Sequence, residues 1–174
     1  MDTGYFTTGD DELDRMVKEF CDEHSDPNLS AAENAKKVYE QAVWREYVED
    51  GENQEPVGPN WDIEYAKQSF RKGTGNCFEF AACDEFILKY FGYTDVYAEP
   101  CFVLMQSGGY GDHGLTFVTD FDGRKCLCDS SLGANGWLLD ADSYTVKLMN
   151  VGQDESERNV ANFEEVVDAK WLQA

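Results

Sequence analysis

Apolar residues recur at helical spacing through the first half of the chain and at strand spacing after it. Leu13, Met16, Val17, Phe20, Cys21 and His24 stand three and four apart behind Asp10-Asp11-Glu12. This predicts a helix whose acids occupy the first turn, where the helix dipole favours them. Asp26-Pro27 closes it. Ser30 and Glu33 have the three-residue separation of a capping box and open a second helix, with the stripe Ala31, Ala35, Val38, Tyr39, Ala42 and Tyr47. Residues 49–60 contain two prolines and two glycines and read as a loop. Ile63, Ala66 and Phe70 predict a short third helix ending near Lys72.

Gly73-Thr74-Gly75-Asn76-Cys77-Phe78-Glu79 follows. Asn76 is a good N-cap, and Glu79 completes a second capping box. The next helix carries Phe80, Ala81, Ala82, Phe86, Ile87, Leu88 and Phe91 and stops at Gly92. Such a helix belongs in the centre of a core. After Gly92 the period changes. Val96–Met105 reads as a strand, then a glycine-rich access loop over 107–111. Leu115–Phe121 and Arg124–Cys128 read as two strands joined at Asp122-Gly123. Tyr144–Leu148 predicts a further strand, and Phe163, Val166, Val167 and Trp171 a last helix. Helices first and strands later predict an α+β fold with an antiparallel sheet.

The 174 residues fit one domain, 1–174, with no repeat or linker. Its parts are an N-terminal helical region (1–60), a central core (61–132) and a C-terminal completion (133–174). A net charge of −21 argues against nucleic acid and anionic membrane surfaces as partners, since phosphates would be repelled. The acids crowd into the first 64 residues, as expected of a solvated face. No apolar run is long enough to span a membrane. Met1-Asp2-Thr3-Gly4 does not have the form of a secretory signal, which a mature domain would not carry in any case. There are six cysteines and two histidines, so histidine-dependent chemistry has only His24 and His113 to choose from.

Cys77 stands at the first position of the buried helix, where free N–H groups and the dipole favour a thiolate. Arg71 and Lys72 lie just upstream and would strengthen that field. The plainer reading is a small apolar residue at a helix start. His113 begins a strand after the glycine loop, as a surface residue or as a base. Asp129 ends the partner strand, as a turn cap or as the group that orients that base. A strict two-residue turn at Asp122-Gly123 would pair odd with even positions and put His113 and Asp129 on opposite faces. A three-residue loop with a bulge would bring them to one face.

The nucleophile stretch Gly73–Ala81 resembles the G-x-C-x-x-x-A motif of the transglutaminase-like superfamily. Asp112-His113-Gly114-Leu115-Thr116-Phe117-Val118 resembles its histidine strand, and Leu127-Cys128-Asp129-Ser130-Ser131 its aspartate strand end. The three lie in the family's order, 36 and 16 residues apart. The segment from Tyr5 to Tyr47 resembles the leading part of bacterial surface members. Gly114 departs from the pattern, and Leu115 stands where the family often has Trp.

The resemblance implies a papain-like core, with the nucleophile helix packed on an antiparallel sheet. It implies Cys77 as nucleophile, His113 as general base and acid, and Asp129 as orienting carboxylate, with no cofactor. The backbone N–H of Cys77 would be one oxyanion donor and the hydroxyl of Tyr47 the second, although Trp44 competes and Tyr47 also suits an ordinary core role. It further implies acyl transfer on peptide or protein amides, cell-wall peptide among them, at an extracellular or cell-surface location. Hydrolysis is favoured over crosslinking, because bacterial relatives so often resemble peptidases. The alternatives are a binding or adhesion module on the same fold, and a metal-dependent domain using Cys126, Cys128 and His113. Cys126 and Cys128 lack a second ligand pair and read better as core thiols. His24 reads as a core or helix-capping residue.

Overall fold

The computed structural model describes residues 6–43, 46–47, 60–104, 108–140, 144 and 146–148. Among these residues the helices are α1 (Asp11–His24), α2 (Ala31–Val43), α3 (Trp61–Lys72) and α4 (Cys77–Tyr90). The strands are β1 (Glu46–Tyr47), β2 (Thr74–Gly75), β3 (Thr94–Leu104), β4 (Tyr110–Thr119), β5 (Lys125–Cys128), β6 (Leu139–Asp140) and β7 (Val146–Leu148). A 3₁₀ segment spans Ser130–Gly136. Five strands form one antiparallel sheet in the order β6-β5-β4-β3-β7. The architecture is α+β, helices ahead of an antiparallel sheet.

Local sequence explains the helix starts. Asp10 accepts from the Leu13 N–H at 2.9 Å. Ser30 and Glu33 form the expected reciprocal pair at the head of α2, at 3.1 and 3.3 Å. At α4 the Asn76 carboxamide oxygen accepts from the N–H groups of Phe78 and Glu79 at 3.1 and 3.0 Å. The Glu79 carboxylate accepts in return from the Asn76 N–H at 3.1 Å. Gly73, at φ 74°, ends α3 in the left-handed conformation that glycine adopts without strain.

All of α4 except Cys77 and Lys89 is buried. It packs between the other helices and one face of the sheet, in a core that includes Leu13, Val38, Tyr65, Phe86, Val96, Val118, Cys126 and Cys128. The opposite face of the sheet holds a second cluster of Cys101, Val103, Leu115, Phe117, Leu127 and Val146. The side chains of β4 therefore alternate, even positions toward α4 and odd positions away. Thr116 fixes this orientation by donating its hydroxyl to the Ala81 carbonyl at 2.8 Å.

Two expectations are corrected. The second helix ends at Val43 rather than running on to Tyr47, because Glu46 and Tyr47 pair in parallel with Thr74 and Gly75 instead. The histidine strand begins at Tyr110, ahead of both His113 and Leu115, because β3 pairs with it from Leu104↔Tyr110 onward. Gly111 and Gly114 are thus held in a strand by a partner, against their weak strand propensity. The loop over 49–59 and the helix expected at 163–171 fall outside the described residues. No helix among the described residues is long and apolar enough to cross a membrane.

Candidate active site

The β4–β5 hairpin decides whether His113 and Asp129 can meet. Its strands pair Thr116 with Cys128, Phe117 with Leu127 and Val118 with Cys126, so odd positions face odd positions. The connection is the three-residue loop Phe121-Asp122-Gly123, closed by the Asp120 N–H donating to the Arg124 carbonyl at 2.8 Å. Gly123 sits at φ 88°, the left-handed residue such a loop requires. His113 and Asp129 accordingly share the face that points away from α4. His113 Nε2 stands 2.9 Å from Asp129 Oδ1.

Cys77 reaches the same place from α4. Its N-terminal turn lies directly on β4 at Gly114, where a Cβ would stand 2.7 Å from the Cys77 carbonyl oxygen and 2.8 Å from the Phe78 Cα. The Cys77 thiol lies near enough to the His113 ring to act on its ionisation. With Nε2 taken by the carboxylate, Nδ1 is the nitrogen left for sulfur. The departure at Gly114 thus has a cause: any larger residue would hold the helix start away from the histidine strand.

The electrostatics follow from these contacts. Burial disfavours charge on His113, but the bond to Asp129 and the nearby Cys77 outweigh it and push the imidazole up to about 10. Burial likewise opposes the ionised Asp129, yet bonds from His113, Ser131 and Tyr144 hold it below the usual carboxylate range. The site therefore favours an imidazolium beside a carboxylate at neutral pH. His113 keeps 19% of its side-chain surface exposed and Asp129 only 4%, so the ring faces solvent and the carboxylate lies beneath it.

Asp129 is held from several sides. Its Oδ1 accepts from the Ser131 N–H at 3.0 Å and from the Ser131 hydroxyl at 2.6 Å, and its Oδ2 from the Tyr144 hydroxyl. The Asp129 N–H donates to the Gly136 carbonyl at 2.9 Å, closing the 3₁₀ segment on itself. Tyr39 of α2 donates its hydroxyl to the Gly133 carbonyl at 2.9 Å. From β3, the Cys101 thiol donates to the His113 carbonyl at 3.4 Å, and burial pushes that thiol up. Sequence reasoning passed over Tyr144 and Ser131. Ser131 was detectable, since Asp129-Ser130-Ser131 has the form of an Asx turn. Tyr144 had no local signal, because its contact spans 15 residues.

The remaining candidates separate from this cluster. The side chains of Tyr47 and Trp44 lie outside the described residues, and only the backbone of Tyr47 is placed, beside Gly75. Arg71 does not strengthen the field at Cys77, because it is drawn to Glu12 at 2.6 Å. His24 packs edge-on against Phe20 with ring centroids 4.8 Å apart. Cys126 and Cys128 face α4, away from His113 across the sheet, which rules against the three as one metal site. Among the described residues no group of His, Cys, Asp and Glu is arranged to hold a metal ion. All six cysteines are free thiols.

No family model matches the chain, and no curated protein matches it.

Proposed function

We propose that the chain is a transglutaminase-like cysteine enzyme with a papain-like core, hydrolysing amide bonds of peptides or proteins. One observation carries the reading: the His113 ring is hydrogen-bonded to a buried carboxylate and lies beside a thiol at a helix N-terminus. Either contact alone is ordinary. Together they are the arrangement a thiol nucleophile needs, with a base that removes its proton and a third group that fixes the tautomer of that base.

The chemistry runs in two halves. Cys77 reacts as a thiolate beside the His113 imidazolium, and its sulfur attacks the amide carbon while the oxygen takes up negative charge. The Cys77 N–H is not used by the Asn76 cap, which takes those of Phe78 and Glu79, and it serves as an oxyanion donor. Tyr47 is proposed as the second donor. Collapse of this adduct breaks the C–N bond, His113 protonates the leaving amine, and a thioester remains on Cys77. Water gives its proton to His113 and attacks the thioester, so an acid is released and the thiolate restored. An amine in place of that water would give transamidation. Hydrolysis is favoured because the bacterial proteins that this sequence resembles so often resemble peptidases. The proposed setting is extracellular or cell-surface, with cell-wall peptide among the substrates.

The test is the rate of iodoacetamide alkylation at Cys77 against pH, with the site read by mass spectrometry and the other five thiols as internal controls. Fast labelling of Cys77 below pH 7, lost or shifted upward in His113→Ala, is the expected result. A Cys77 no more reactive than a free thiol, and indifferent to His113→Ala, would overturn the enzyme and leave a binding module.

A further inference from the structure

Asp84 belongs to the same helix as Cys77 and stands two turns further on, so both lie on one face of α4. Its side chain is 1% exposed. Oδ2 is hydrogen-bonded to the Ser130 hydroxyl, and Oδ1 has no partner among the described residues. Ser130 adjoins Asp129 and opens the 3₁₀ segment that holds Asp129 in place. We propose that Asp84 is a positioning residue for the Cys77–His113–Asp129 site, its carboxyl clamping the helix that carries the thiol to the segment that carries the acid.

The clamp has a chemical signature. Among the described residues, the titratable groups that face Asp84 are Tyr39 from α2, Cys128 from β5 and Asp129 from the segment after it, and none of them is a cation. A buried carboxylate with one hydroxyl partner and no cation is costly. Burial, with the nearby Asp129 charge adding and the Ser130 bond opposing, pushes Asp84 up to about 8. Asp84 is then a neutral acid when Asp129 is ionised. Two carboxyl groups lie close together, and their surroundings drive them to opposite states. Loss of the Asp84 proton near pH 8 puts a second negative charge beside Asp129 and loosens the joint between helix and hairpin. An ordinary structural contact would have no such midpoint.

The kinetic readout rests on the proposed cysteine chemistry, so the experiment carries a second readout that does not. Wild type, Asp84→Asn and Ser130→Ala are compared in the Cys77 alkylation rate and in the ¹⁵N shifts of the His113 ring, both from about pH 5 to 10. The amide of Asp84→Asn preserves the bond to Ser130 without titrating, so labelling near pH 7 stays within about threefold of wild type. An inflection near pH 8 in the wild-type His113 shifts is absent from that variant. Ser130→Ala breaks the bond and slows labelling about tenfold, the loss expected from ~1.4 kcal/mol. The clamp is overturned if the pH dependence of the His113 shifts in Asp84→Asn superimposes on wild type, or if Ser130→Ala leaves both readouts unchanged. If Cys77 never labels ahead of the other thiols, the enzyme reading fails by itself, and the His113 shifts still decide the clamp.

Discussion

Gly114 and Cys77 touch through their backbones: a Cβ on Gly114 would stand 2.7 Å from the Cys77 carbonyl oxygen and 2.9 Å from its carbonyl carbon. The atoms it would meet are main chain at the start of a buried helix, so no rotamer change relieves the overlap. The separation between the thiol and the ring of His113 is thus set by what residue 114 lacks.

Gly114→Ala should therefore injure the site more than the fold. Overpacking of this kind costs about 1–3 kcal/mol, which for a chain of this size lowers Tm by roughly 2–12 °C. Calorimetry should find the variant folded with that loss. The alkylation rate of Cys77 should fall at least about tenfold, since the helix start moves away from His113. Wild-type labelling in a folded Gly114→Ala would contradict the close-packing argument.

The ion pair gives a pH dependence with a definite sign. His113 is raised to about 10, so its contribution to stability is complete below the ordinary histidine value of ~6.5 and is lost as pH climbs through about 10. Asp129 is lowered, so its contribution is present above about 4 and disappears as pH falls through the depressed folded value. Asp129→Asn removes the charge behind both limbs. The Tm difference between wild type and Asp129→Asn should be greatest between about pH 4 and 6.5 and shrink on either side. A difference that is constant from about pH 3 to 10 would sink this account of the pair.

Tyr144 donates to the Asp129 oxygen that faces away from His113. Removing the hydroxyl in Tyr144→Phe leaves one carboxylate oxygen short of a donor, at about 1.5–3 kcal/mol for a bond to a charged group. The Asp129 pKa should rise, and kcat/KM or the labelling rate should fall about 10- to 100-fold. An Asp129 titration by ¹³C NMR that does not move in this variant would remove Tyr144 from the site.

Asn76→Ala tests the cap. The loss of two bonds to the first turn of α4 should cost about 0.5–2 kcal/mol in urea unfolding. Asn76→Asp, which keeps the acceptor and adds negative charge at the N-terminus, should restore stability. It should nevertheless slow Cys77 labelling, because a fixed anion beside the thiol competes with the thiolate for the same field. Equal labelling by Asn76→Asp and wild type would show that the helix terminus does not act on the sulfur.

The features readable in the sequence were those written within a few residues of one another. The caps of α2 and α4 each join residues three apart, and both are present. The three-residue hairpin loop followed from requiring His113 and Asp129 to share a face. What escaped was long-range. The apolar stripe of the second helix runs on to Tyr47 in period, but a pairing with Thr74 and Gly75, more than two dozen residues away, takes Glu46 and Tyr47 out of it. Gly114 looked like a departure until the helix lying against it was visible. Tyr144 and Asp84 act on Asp129 and Ser130 across 15 and 46 residues, and no periodicity points to such partners.

The loop Phe121-Asp122-Gly123 makes length a discrete variable in this protein. Removing or adding one residue there exchanges the two faces of everything beyond it in β5, sending Asp129 to the helix side and Cys126 and Cys128 to the other. Adding two restores the parity and lengthens only an exposed tip. Among variants of this hairpin, tolerance should therefore alternate with the number of residues inserted rather than decline smoothly. Whether His113 meets Asp129 depends on whether the residues of that turn are counted in odd or even numbers.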